Sequence, residues 1–76
     1  MNIEHKIRKN CGKQFKRIRE KSGLKQEKFS EKINIAYRTW QRIERNGTNS
    51  IEMICYLAEA LNFDLIEFLK EAIDKK

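Results

Sequence analysis

The side chains best equipped for chemistry gather in residues 26–45 (QEKFSEKINIAYRTWQRIER), and they are donors. Tyr37, Arg38, Thr39, Gln41, Arg42 and Arg45 take the outward positions of a short amphipathic stretch whose inward positions are Trp40 and Ile43. A guanidinium can donate twice to the edge of guanine, and amide or hydroxyl groups can hold phosphate oxygens, so the set suits a polyanion with legible base edges. Competing chemistry is absent elsewhere. Cys11 and Cys55 lack the spacing of a metal site or a CxxC redox pair, and His5 stands alone near the chain start. With no metal-ligand cluster, nucleophile–base pair or phosphate loop, an enzyme, a metal or other cofactor and a small-molecule ligand are not expected.

Donors can read a partner only if rigid elements aim them. Phe29, Ile33, Ile35, Trp40 and Ile43 space two short helices, about 26–33 and about 37–45, that must cross closely, with small Ser30 at the crossing. Asn34 takes the turn, where a left-handed conformation is often required. Asn46-Gly47 ends the second of these helices.

A first helix from Ile3 to about Lys21 follows from Ile3, Ile7, Cys11, Phe15 and Ile18 at helical spacing. Gly12 inside it costs about 1 kcal/mol against alanine, so its first half is expected to be held less firmly. Ser22-Gly23 is a stop, and Leu24 should fold back on the core. Asn49 and Glu52 read as a capping box opening a fourth helix to Leu61, with Ile51, Ile54, Leu57, Ala58 and Leu61 inward. Asn62 stops it. Asp64 and Glu67 form a second box, opening a fifth helix to about Ile73. The expectation is an all-α, compact five-helix domain spanning residues 1–76.

Charge sorts along the chain. Residues 1–48 hold 14 Lys/Arg against 5 Glu, a net +9, and residues 49–76 hold 3 Lys against 6 acids, a net −3. A basic front and an acidic back point one face at nucleic acid. The basic residues of the first helix (Lys6, Arg8, Lys9, Lys13, Lys16, Arg17) read mainly as a solvated face, with one or two placed to touch phosphate. No signal peptide or membrane-length apolar run is legible, so a cytoplasmic location with two free thiols is expected. Both cysteines fall on apolar helical faces, where they behave as small hydrophobes.

From about Gly12 to Leu69 the chain resembles the Cro/repressor, or Xre-like, class of helix-turn-helix DNA-binding regulators. The likeness rests on Arg19, Gly23-Leu24, Gln26, Ile43-Glu44-Arg45 and the Ile51…Ile54…Leu57-Ala58…Leu61 series. It implies a lambda-repressor-like fold with the third helix in the major groove and the second across the backbone. Tyr37, Arg38 and Arg42 would read bases. Gln26, Thr39, Gln41, Arg45, Asn46 and Gly47 would hold the backbone, Gly47 through its main-chain N–H. Arg19 and Glu44 match a structural ion pair that braces the first helix against the third. The chain departs from the pattern at Phe29-Ser30, Asn34 and Asn49, at Ala36, which leaves the third helix uncapped, and at Trp40, which either enlarges the core or exposes part of its ring.

The fifth helix has more apolar residues than one buried stripe needs. Tyr56, Ile66, Leu69 and Ile73 are therefore candidates for a two-fold interface, giving a homodimer that reads an inverted repeat in double-stranded DNA. No effector segment is expected after the fifth helix. A phage repressor, a restriction–modification controller and an antitoxin all fit. The alternative is a protein-interaction module that keeps the fold without specific DNA binding.

Overall fold

The computed structural model describes residues 3–48 and 50–74. Five helices follow in chain order: α1 (Ile3–Ser22), α2 (Gln26–Lys32), α3 (Tyr37–Asn46), α4 (Ile51–Leu61) and α5 (Leu65–Asp74). No strand occurs among the described residues. The all-α expectation holds, and α2 ends one residue early because Ile33 serves as its C-cap.

Local signals set most boundaries. Gly23 (φ +78°) ends α1, and among the described residues the non-glycine ones with positive φ are Asn34 (59°) and Asn62 (57°), which close α2 and α4. Asn tolerates that region because its short polar side chain bonds locally. Asp64 Oδ1 accepts the Glu67 N–H at 3.1 Å, capping α5 as expected. At α4 the cap is Ser50, whose Oγ accepts the Met53 N–H at 3.2 Å. Asn49, the expected cap, lies outside the described residues.

The core is aromatic. Trp40 and Phe15 are fully buried, edge to face with ring centroids 5.9 Å apart. Phe29 lies 5.0 Å from Trp40, and Phe68 lies 4.7 Å from Phe15. Trp40 thus enlarges the core and exposes no part of its ring. Leu57, Ile43, Cys11 and Ala72 fill the gaps, with Leu24 folded back against them. Such ring pairs add about 0.5–1.5 kcal/mol each beyond area burial.

Four expectations need correction. Ile51 is 68% exposed, since the first turn of α4 reaches past the core, so the inward stripe starts at Ile54. Cys55 is exposed on the solvent side of α4, and only Cys11 is buried. Gly12 marks a crossing rather than a weakness. A Cβ there would lie 2.9 Å from Ile43 O and 3.0 Å from Glu44 O, so glycine lets the α1 and α3 backbones touch. The first half of α1 is also tied down: Asn10 Nδ2 donates to Ala72 O at 2.8 Å, and just beyond it Gln14 Nε2 donates to Phe68 O at 3.1 Å, both acceptors in α5.

Candidate nucleic-acid interface

α3 is the most sharply two-sided helix of the fold. Trp40, Ile43 and Glu44 are buried, while Arg38, Arg42, Arg45 and Asn46 are exposed on the opposite side. Tyr37 is exposed at the start of the helix, and Thr39 and Gln41 are partly covered at its flanks. The residues expected to read bases therefore share one open face with Arg45 and Asn46, two of those expected to hold phosphate. Among the described residues, nothing covers that face.

The orientation of this face is fixed by Glu44. Its buried carboxylate accepts four hydrogen bonds: two from Arg19 (Nε, 2.5 Å; NH2, 3.3 Å), one from Gln26 Nε2 (3.0 Å) and one from Trp40 Nε1 (2.5 Å). Arg19 comes from α1, Gln26 opens α2, and Trp40 sits one turn back on α3. Arg19 NH1 also donates to Leu24 O at 2.9 Å, gathering the α1–α2 connection into the same node. A buried carboxylate survives only when its lone pairs are occupied, and here each donor belongs to an element that must be aimed.

Gln26 therefore has a structural duty besides the expected one. One amide N–H is committed to Glu44, and the other hydrogen of the same nitrogen remains for an outside acceptor. Gln26, Gln41 and Arg45 line one groove together with Lys16, over the Arg19–Glu44 pair. Lys16 was expected on a solvated face. Its position three residues before Arg19 puts it one turn away on the edge that meets α3, a signal that the Arg19–Glu44 brace already carried in the sequence. The groove carries three cations against one carboxylate.

Helix starts differ across the fold. Lys25 before α2 and Ala36 before α3 make no side-chain cap, whereas Ser50 and Asp64 cap α4 and α5. The first-turn N–H groups of α2 and α3 thus have no side-chain acceptor of their own. Gly47 behaves differently from expectation. Its N–H closes α3 on Ile43 O at 2.8 Å, so that donor already has a partner. At φ +76°, a Cβ there would fall 1.8 Å from Arg8 O, so Gly47 is held by chain path and close contact with α1.

The candidates for a two-fold interface are spread across the back. Ile66 (65%) and Ile73 (53%) are open on α5, and Leu69 is half-buried against the core. The Tyr56 hydroxyl donates to Ile33 O at 2.9 Å, tying α4 to the α2–α3 turn while the residue stays exposed. Among the described residues, no group of His, Cys, Asp or Glu could hold a metal, and no helix is long and apolar enough to cross a membrane.

Residues 15–68 match the model of a helix-turn-helix family. No curated protein and no solved structure matches the chain.

Proposed function

The chain belongs to the Cro/C1-type (Xre-like) helix-turn-helix family of DNA-binding regulators, and on that premise we propose a homodimeric, sequence-specific regulator that reads an inverted repeat. The observation that carries this reading is the open arginine face of α3 aimed by the buried Glu44 node. Arg38 and Arg42 project where α3 would enter the major groove, and either can donate twice to guanine. Tyr37 would add an aromatic edge at the first turn.

Backbone holding falls to the rim. Gln26, Gln41 and Arg45 share a groove, Thr39 is partly covered on the other flank of α3, and Asn46 is exposed at its end. Gly47 would act by the course it gives the chain after α3. The α5 stripe of Ile66, Leu69 and Ile73 supports a two-fold contact, to which the exposed Tyr56 of α4 would add. Such a dimer would set two α3 helices about 34 Å apart, one turn of duplex. Repression is the simplest outcome, since an occupied operator blocks the polymerase without an added activity.

Selection of bound sequences from a random duplex pool tests this reading. Enrichment of an inverted repeat with centres about 10 base pairs apart is expected. Enrichment of a single half-site would remove the dimer, and no enrichment at all would remove sequence-specific reading.

A further inference from the structure

We propose that α1 carries a second DNA-backbone strip, formed by Lys9 and Lys16 and continued by Arg45 of α3, that binds duplex phosphates regardless of sequence. It rests on the DNA-binding reading above and deepens it by naming which cations of α1 join α3 at the duplex backbone.

The placement is fixed by contact. α1 meets the end of α3 backbone to backbone, Gly12 against Ile43 and Glu44, Arg8 against Gly47. Lys9 follows Arg8 directly, and Lys16 lines the groove shared with Arg45 and Gln41. Seven residues separate Lys9 from Lys16, nearly two turns, so both lie on the edge facing α3, about 10 Å apart along the axis. Both are exposed. Neither they nor Arg45 form an ion pair among the described residues, whereas Arg17 pairs with Glu71 on the opposite flank, towards α5.

The energetics point the same way. α1 holds eight Lys/Arg and two Glu. Lys9 with Lys13, Lys13 with Lys16 and Lys13 with Arg17 are like-charge neighbours at i,i+3 or i,i+4, a spacing that destabilises an exposed helix. Glu20 follows Lys16 by one turn, but among the described residues no carboxylate pairs with Lys9, Lys13 or Lys16. A row of uncompensated cations beside the reading helix makes sense if an external polyanion neutralises it on binding. Lys9 and Lys13 also lie before residue 15, where the family match begins, so this part of the strip belongs to turns that the family pattern does not cover.

The test is Lys9→Gln, Lys16→Gln and the double variant of the full chain, titrated against the selected duplex and a scrambled one over a salt series. Each removed contact should lower the slope of log Kobs against log salt by about 0.9, and by nearly 2 for the pair. The loss should be equal on both duplexes, while Tm stays level or rises because repulsion is relieved. The double Lys→Arg variant should keep the slope, and Lys70→Gln on α5 should leave it unchanged. A parent that binds with steep salt dependence, beside a double Gln variant of unchanged slope, overturns the strip and leaves the DNA-binding reading standing. A parent with no salt-dependent duplex binding overturns both.

Discussion

Trp40 Nε1 donates to Glu44 Oε2 at 2.5 Å, one turn along the same helix. The indole is fully buried and the carboxylate nearly so. One side chain thus fills the centre of the core with its rings and satisfies the buried charge with its N–H. Trp40→Phe keeps most of the volume and removes the donor. The expected cost is about 2–3 kcal/mol of unfolding free energy, a charge-assisted hydrogen bond plus a small void. Urea denaturation followed by circular dichroism measures it, and a midpoint equal to the parent's would deny the bond any stabilising role.

Arg19 supplies two of the four bonds to that carboxylate. Arg19→Met should cost about 3–5 kcal/mol, because it leaves a buried charge held by neutral donors alone. Replacing both partners removes the charge with its need. Arg19→Met/Glu44→Met should therefore be more stable than Arg19→Met by itself, a coupling that a double-mutant cycle reads directly. Simple additivity would mean that the pair acts as two independent surface groups.

Two glycines share nearly the same φ and should respond differently. Gly23 (φ +78°) has nothing within 4 Å of an added Cβ, so Gly23→Ala carries only left-handed strain, about 1–2 kcal/mol. At Gly47 (φ +76°) the same Cβ would fall 1.8 Å from Arg8 O, so strain and backbone overlap combine. Gly47→Ala should cost about 3 kcal/mol or more and shift α1 against α3. Equal Tm losses for the two variants would contradict the close contact.

What was legible in the sequence is what obeys local rules. Helical spacing of Ile7, Cys11, Phe15 and Ile18, positive φ at Asn34 and Asn62, and the Asp64 cap each depend on residues within a turn or so of one another. What was missed depends on partners far along the chain. Gly12 looks like a helix flaw until α3 lies against it, 31 residues away at Ile43. Lys16 looks solvated until α3 lies against α1 and closes a groove that Lys16 shares with Gln41 and Arg45. Cys55 and Ile51 have apolar side chains at plausible spacing, and only the finite reach of the core decides that they stay outside. For the candidate site, residue types were legible, but the sharing of Gln26 between the Glu44 node and an outside acceptor was not.

The two thiols provide a chemical readout of that core. Burial pushes the Cys11 thiol above its ordinary range, while Cys55 is exposed. A thiol reagent at pH 8 should label one cysteine at once and the second only on unfolding. The sign for stability follows, because the unfolded chain gives up the Cys11 proton before the folded one does. Its contribution is fully present below the unfolded thiol pKa of about 8.5 and is lost as pH rises towards the folded value. Between pH 8 and 10 the parent should lose more stability than Cys11→Ala does over the same interval. Parallel losses in the two proteins would show that Cys11 is not the group responsible.

Arg42 and Arg45 are neighbours on the open side of α3, and the geometry assigns them different work. Arg42 lies on the outward line with Arg38, one turn before Asn46, away from any groove wall. Arg45 stands over the groove with Lys16 and Gln41, beside α1. A base-reading guanidinium contributes to one sequence and little to others, so Arg42→Ala should weaken binding to the selected duplex by about 1–3 kcal/mol and relax preference at a single position. A phosphate-holding one contributes to every duplex. Arg45→Ala should then weaken selected and scrambled duplexes by the same factor and lower the salt slope by about 1. Titration of both variants against both duplexes separates the roles, and a uniform loss for Arg42→Ala would move it from the reading face to the rim.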